Sequence, residues 1–380
     1  MGDVVLFDPR GSFSTLDKEL ISRHKEYLQA SREFPASPIS RLVILTGKVE
    51  RSGILYHEDN LIIVGCKRKI WLDIFMNFSK SNVLNGIDFE PQIITCSDPW
   101  ASYFYARLSS IFRIRNTSYA RIPFQLQIHA DFLTQNWRRS GVIPLVKFIF
   151  ARYAIKQADQ IRCVSNSIAM DISTRFNISA TRIISVPVPI NVAGVKSVSE
   201  KSLPLSIGFV GRLHAERGLD VFSKAVTSLF KIEPRLKVIV IGDGPERESL
   251  RGKLLQTIPS SQLEMLGHLN TLEDAWGKIG ILLSTAPTES YGRSTREALM
   301  HGIPVWGVKS RGIDELIAEA GNEVVRELNV QLSSQELGET LRELLAHKRN
   351  DGYYLEYLER RREIIKDIGS AWARLAKTCQ

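Results

Sequence analysis

The sequence predicts two doubly wound α/β domains, each a parallel sheet covered by helices, facing one another across a cleft. Three observations carry this. Short β-branched runs alternate with amphipathic helical segments along the whole chain. The runs are continuously apolar over four to six residues, as strands buried on both faces are. A chain of 380 residues exceeds one ordinary core and suits two domains of roughly 150 to 200 residues each.

In the first half the strand candidates are VVLFD, RLVILTG, LIIVGC, QIITCS, FQLQIHA and QIRCVS. The second half repeats the pattern with LSIGFVG, LKVIVIG, LEMLG, ILLST and IPVWGV. Between the halves, VPVPINVAGVKSVSEKSLPLS has Pro187, Pro189 and Pro204 around a small, polar stretch without periodicity, which reads as a linker. The expected division is 1–193, 194–355, and a C-terminal helix over 356–380 that packs back toward the N-terminal domain, bent at Gly369. Ligands of open parallel sheets bind outside the carboxyl ends of the strands, so the active site is expected in the cleft.

Composition narrows the class. Hydrophobic residues make up 44% and charged residues 24%, as in soluble globular proteins. Cys66, Cys96, Cys163 and Cys379 form no CxxC pair and no ligand-like spacing with the histidines, which argues for reduced thiols in a cytoplasmic protein and against a zinc site. The N-terminus lacks a basic then apolar leader, and Leu6 stands where a myristoylation signal wants Ser or Thr. The longest apolar run, VIPLVKFIFARYAI, is broken by Lys147 and Arg152, so no membrane span is expected. Of the net charge of +9, residues 1–190 carry +8 (24 Lys and Arg against 16 Asp and Glu), which suggests an anionic partner for that half. No helix-turn-helix, zinc-finger or RNP pattern supports nucleic acid as that partner.

Three constellations carry chemistry. In GFVGRLHAERGLDVFSKAV a strand ends at Gly211, and Arg212 and Arg217 flank a loop before a helix; two guanidiniums beside a helix N-terminus make a diphosphate receptor. The bland reading has Arg212 capping the sheet and Arg217 solvated. In KVIVIGDGPERESL, Gly242 and Gly244 permit close backbone approach at a strand-to-helix turn, without the GxGxxG of a dinucleotide fold. In STAPTESYGRSTREALMHGIPVW, Glu289 stands at a strand's carboxyl edge and Glu297 eight positions later in a first helical turn, and the free N–H groups near Gly292 to Ser294 favour an anion. The bland reading of Glu297 is an acidic residue that suits a helix start.

The order strand, GR, loop, R, helix, then GDGPE, then GHL, then E-x7-E and GIPVWG is far more specific than any one piece. In this order the chain resembles the retaining glycosyltransferases of family 4, which have the GT-B fold. The match is close over 205–320 and looser over 90–190, through IITCSDPWASYFYARL, QIHADFL and QADQIRCVSNSIAMDI. The resemblance implies that Arg212 and Arg217 hold the diphosphate of a UDP- or GDP-linked sugar, Glu297 the ribose and Glu289 the sugar hydroxyls. It implies that Tyr291, Gly292, Arg293 and Ser294 hold phosphate oxygens with Gly211, Gly242 and Gly244 beside them. Leu266, Gly267 and His268 would border the base, and His129 would contact the sugar from the other domain. It further implies retention of configuration, with a donor phosphate oxygen accepting the acceptor's proton, and neither a metal nor another cofactor.

Departures from that family's pattern bear on the acceptor side. DPRGSFST has one glycine where many relatives have two, VPVPIN replaces an Asn-Gly turn, and SRGIDEL has a single glycine, although Gly312 and Glu315 are kept. Arg10, Gly11, Ser12, Asp98 and Asp131 are the acceptor-side candidates. The acceptor is expected to be a glycan or lipid-linked glycan in cell-surface polysaccharide synthesis. An anionic inner membrane face is a candidate partner through Lys67, Arg68, Lys69 and Trp71, through Arg107, Arg113 and Arg115, and through Arg138 and Arg139; scattered solvated charge is its bland rival. Two other functions stay open: a sugar-nucleotide epimerase, and a nucleotide-sugar-binding protein without turnover.

Overall fold

The structure, a computed structural model, describes residues 2–50, 52–66, 83–84, 87–88, 91–104, 106, 122–129, 132–133, 141–190, 192, 195, 203–269, 272–329, 331, 333–346 and 352–377. The basic segments around Lys67 to Trp71, Arg107 to Arg115 and Arg138 to Arg139, and the candidate Asp131, lie outside these residues. The chain forms two compact units: Met1–Pro189 together with Arg362–Gln380, and Ile190–Arg361. The divisions thus fall at Pro189/Ile190 and Arg361/Arg362, where 193/194 and 355/356 were expected.

The first unit holds β1 (Gly2–Asp8), α1 (Lys18–Glu33), β2 (Ile39–Thr46), β3 (Gly53–Glu58), β4 (Leu61–Gly65), a small pair β5 (Val83–Leu84) and β6 (Ile87–Asp88), then β7 (Pro91–Cys96), β8 (Phe124–Ile128), α2 (Val142–Gln157), β9 (Gln160–Cys163), α3 (Asn166–Phe176) and β10 (Ile183–Ser185). Its main sheet runs β10-β9-β8-β7-β1-β2-β4-β3. All neighbours are parallel except β3, which pairs antiparallel with β4. The sequence reading lacked β3, whose GILYHE is too polar for a strand covered on both faces. The signal was Asp59-Asn60, both at positive φ (48° and 69°), which is the chemistry of a two-residue hairpin turn.

The second unit holds β11 (Ser206–Val210), α4 (Leu219–Ile232), β12 (Lys237–Ile241), α5 (Arg247–Leu255), β13 (Leu263–Gly267), α6 (Glu273–Trp276), β14 (Ile281–Ser284), α7 (Arg293–Met300), β15 (Val305–Gly307), α8 (Arg311–Ala320), β16 (Val325–Glu327), α9 (Ser334–Ala346) and the first part of α10 (Gly352–Lys377). Its sheet is parallel in the order β13-β12-β11-β14-β15-β16. Successive strand residues go to opposite faces, and the cores show it: Val238 and Val240 join one apolar cluster with Phe222 and Leu229 of α4, while Ile239 and Ile241 join another with Ala298 and Leu316. Both faces are dry, which is why these strands read as unbroken apolar runs.

The later part of α10 belongs to the first unit, where Ile364, Ile368 and Trp372 enter its core and Trp372 Nε1 donates to Gln125 Oε1 at 2.8 Å. The helix runs through Gly369 without a break. A Cβ at Gly369 would stand 2.5 Å from the backbone of Ala30 and Ser31 in α1, so the glycine serves close helix packing where a bend was expected.

Candidate functional site

In the second sheet the chain order reverses between β11 and β14, and this switch point is where an open α/β sheet leaves a crevice at its carboxyl edge. A pocket lies there, lined among others by Val210, Ser284, Thr285, Arg217, Glu289 and Ser294. Arg217 ends the short 3-10 turn Ala215–Arg217 after β11, and Glu289 lies on the loop after β14. Arg217 Nη1 donates to Glu289 Oε2 at 2.8 Å, while its Nε is buried without a partner.

Backbone contacts hold this pair. Thr285 Oγ1 donates to the Arg217 carbonyl at 3.0 Å, and Gly218, at φ +66°, passes so close that a Cβ would sit 2.0 Å from the Thr285 carbonyl oxygen. The Glu289 carbonyl accepts from Gly312 N at 2.9 Å, and Glu289 Oε1 accepts from Gly292 N at 3.2 Å. The Glu289 backbone is therefore held from α8, and its carboxylate by the start of α7 and by Arg217. Gly292, at φ +73°, is the N-cap of α7, and Arg296 N donates to its carbonyl at 3.2 Å.

Glu297 takes a different partner: its Oε1 accepts from Arg293 Nε at 2.8 Å, one turn back on α7. Arg212 is apart from the pocket. Its side chain is 72% exposed and Nη2 donates to Glu216 Oε1 at 2.9 Å, so the two arginines expected to converge on a diphosphate do not converge in this structure. Gly242 and Gly244 permit close approach, but of protein to protein: a Cβ on Gly242 would lie 1.9 Å from the Gly211 carbonyl oxygen, and one on Gly244 2.3 Å from that of Leu213. Leu213 N donates to the Asp243 carbonyl and Glu246 N to that of Leu213, which joins the loops after β11 and β12 into one edge. Leu266 is half-buried and His268 exposed at the carboxyl end of β13, and Gly267 gives its carbonyl to Gly242 N at 2.7 Å.

The sequence reading missed the support beneath the loop. Arg296 is fully buried in the middle of the E-x7-E segment, its guanidinium 3.8 Å from the centre of the Tyr291 ring and bonded through Nε and Nη2 to the two oxygens of Glu319 at 3.1 and 2.8 Å. Arg360 and Tyr353 reach the same carboxylate at 3.4 Å. Burial works against a charged Glu319, yet Arg296 and Arg360 outweigh it and hold the carboxyl below the usual range. Burial pushes the Tyr291 phenol up to about 12, so Tyr291 is a neutral plate under the loop and not a titrating group. An arginine flanked by polar residues reads as solvated, and Glu319 lies on another helix; nothing local in the sequence announces the pair.

In the first unit His129 follows β8, with Nε2 3.0 Å from Gln127 Oε1. The residue is exposed by surface area, and desolvation by its neighbours, then Arg162 and Arg23, still lower the imidazole below the ordinary histidine range. It is a neutral imidazole at pH 7. The buried Arg162 beside it is met by Gln127 and by the carbonyls of Val186 and Pro187. Arg10 pairs with Asp98 at 3.4 Å and lies 5.4 Å from the Trp100 ring centre. Asp98 accepts from Trp100 N at 2.8 Å and from Ser102 N and Oγ, the work of a helix cap. Gly11, at φ +77°, turns the chain after β1, and Ser12 bonds to Asp8, whose carboxyl is raised by burial. Among the described residues, no group of three metal-ligating side chains is assembled.

Residues 196–366 match the family model for glycosyl transferases group 1. Over this segment the chain is similar to that family. It is 23% identical over 171 residues to the gpi3 subunit of Schizosaccharomyces pombe phosphatidylinositol N-acetylglucosaminyltransferase, covering 44% of this chain and 37% of the relative. It is 21% identical over 254 residues to the GtfA subunit of Streptococcus pneumoniae UDP-N-acetylglucosamine–peptide N-acetylglucosaminyltransferase, covering 62% of this chain and 49% of the relative. The chain thus spans less than half the length of these relatives. Among solved structures, it resembles Anabaena HepE in complex with UDP and glucose at a TM-score of 0.66 and 13% identity, covering 99% of this chain and 97% of the other. That likeness gives the fold, which is GT-B. In this chain the E-x7-E segment is the loop that joins the pocket at β14 to α7.

Proposed function

We propose that the chain is a retaining glycosyltransferase that moves a hexosyl group from a nucleoside diphosphate, uridine diphosphate in the first instance, to a hydroxyl of a glycan or lipid-linked glycan. The observation that carries this reading is the Arg217–Glu289 pair at the β11/β14 switch point. A guanidinium for phosphate and a carboxylate for sugar hydroxyls lie 2.8 Å apart, matching a donor in which sugar and phosphate are joined by one bond. UDP-N-acetylglucosamine as the donor named for one relative, and UDP and glucose bound in the structure of another, support the nucleotide. Cell-surface polysaccharide synthesis is the setting proposed.

In the proposed reaction the bond between the anomeric carbon and the phosphate oxygen breaks as the acceptor oxygen bonds to the same face of that carbon. The acceptor's proton passes to the departing phosphate oxygen, and the nucleoside diphosphate leaves. Negative charge grows on the diphosphate, where Arg217 and the positive end of the α7 dipole favour it. Glu289 accepts from sugar hydroxyls and orients the anomeric carbon. A charge pair at this separation is worth on the order of 4 kcal/mol gross at an effective dielectric near 20, which desolvation reduces. A catalytic metal is not part of the proposal, so a chelator is expected to leave transfer unchanged. His129 belongs to the proposal as a neutral group acting near the sugar, and His129→Ala is expected to lower transfer with donor binding retained.

The test is a thermal-shift panel of nucleotide-sugars followed by an assay of nucleotide release with and without acceptor. Stabilisation by a UDP-sugar and acceptor-dependent release of UDP support the reading. Conversion of the donor to an isomer without acceptor would make the protein an epimerase, and binding with neither transfer nor hydrolysis would make it a non-catalytic binder.

A further inference from the structure

Helix α2 is turned inside out. Ala151, Ala154 and Ile155 face the first unit's interior, whereas Val142, Ile143, Val146, Ile149, Phe150 and Tyr153 are each 45% to 77% exposed. At 3.6 residues per turn these six fall within one stripe of roughly 120°. Ordinary surface helices bury the apolar stripe and show the polar one, and an apolar patch of this kind marks an interaction surface.

Charge identifies the partner. On the helix wheel Lys147 borders one edge of the stripe, and Arg152 and Lys156 border the other with the half-exposed Leu145 between them. Residues 132–158 contain five Lys and Arg and no Asp or Glu. Trp100 adds an aromatic ring to the Lys147 edge: its Nε1 donates to the Lys147 carbonyl at 2.8 Å, and the Lys147 ammonium lies 5.2 Å from the ring centre. An apolar stripe between two cationic margins matches the boundary between acyl chains and anionic headgroups. The helix has 16 residues and does not meet the length and apolarity needed to cross a bilayer, so it would lie in the surface plane.

We propose that α2 is a membrane-docking face that seats the protein on an anionic lipid surface, with Ile149 and Phe150 in the acyl boundary and Arg152 and Lys156 among the headgroups. The proposal concerns binding alone and stands apart from the proposed transfer activity. It differs from the basic segments of the sequence reading, since it rests on the exposed face of a described helix.

The test is co-sedimentation of the full chain with phosphatidylcholine vesicles, with and without phosphatidylglycerol, at low and high salt. The unaltered chain is expected to bind the phosphatidylglycerol vesicles and to release as salt rises. I149S/F150S should lose at least about tenfold in affinity, and R152Q/K156Q about fivefold for each cation removed. These side chains are exposed, so both variants should unfold at the temperature of the unaltered chain. The proposal is overturned if vesicle binding is absent or is indifferent to lipid charge, or if I149S/F150S binds as the unaltered chain does. It is also overturned if the lipid-free protein is a dimer that I149S/F150S converts to a monomer, since the face would then belong to a second copy.

Discussion

The two sheets each have a switch point, and the contents of the two differ. In the second unit, between β11 and β14, Arg217 and Glu289 meet at a pocket while glycines and backbone bonds carry the framework. In the first unit, between β7 and β1, Arg10 meets Asp98, but both Asp98 oxygens already serve the helix that follows. Glu289 carries a single backbone N–H besides Arg217, whereas Asp98 carries two backbone N–H groups and a hydroxyl besides Arg10; the pair proposed to meet a ligand is the one at the pocket. Where the side chain itself is the cap, as at Asp98, the pair is architecture.

The sharpest break of this contrast is at Arg217 and Glu289. Arg217→Ala or Glu289→Gln should lower kcat/KM by about 10²- to 10³-fold in a chain that circular dichroism shows to be folded. Activity within a few-fold of the unaltered chain would remove the pair from the site. Next comes the support under the loop. Arg296→Met leaves Glu319 buried with a weaker partner set and should lower unfolding stability by about 3 kcal/mol in a denaturant titration.

The same pair sets an acid response. Glu319 has a folded pKa below its unfolded one, so its contribution is present above the ordinary carboxylate range of about 4.3 and fades as pH falls through the folded value. Stability measured against pH should therefore fall in acid for the unaltered chain and fall less steeply for Glu319→Gln. A smaller effect is expected at Gly218→Ala, where the left-handed backbone and the contact with Thr285 cost about 1 to 3 kcal/mol; activity should fall with it, because Arg217 is the preceding residue. Smallest is Asp98→Ala, expected to lower stability by about 1 kcal/mol as a lost helix cap and transfer by less than tenfold. A loss at Asp98 as large as that at Glu289 would erase the contrast between the two switch points.

What the sequence disclosed follows the same division. Strands covered on both faces, such as KVIVI and ILLS, cannot be mistaken because apolar continuity is a local property. The half-polar β3 and the three-residue β10 and β16 have too little of that property, and they form because neighbouring strands offer an edge. At the candidate site, spacing alone left Arg217, Glu289 and Ser294 open between a ligand site and helix capping, and the order of motifs that carries the family resemblance singled them out. Which carboxylate Arg217 would meet was not legible, and neither was the exposed pairing of Arg212 with Glu216, since a side chain chooses partners by distance in space. Arg296 and Glu319 lie on different helices, and their bond exists only once α7 and α8 are packed.

The passage of α10 from one unit into the other has a consequence for the order in which the chain matures. The second unit is one unbroken stretch, Ile190–Arg361, and everything it packs against in its own core is present when that stretch is synthesised. The first unit must wait, because Trp372 bonds to Gln125 across a sequence separation of 247 residues. Closing so large a loop is slow. A nascent chain stopped short of Arg362 would therefore carry a finished second unit and a first sheet with one wall still open.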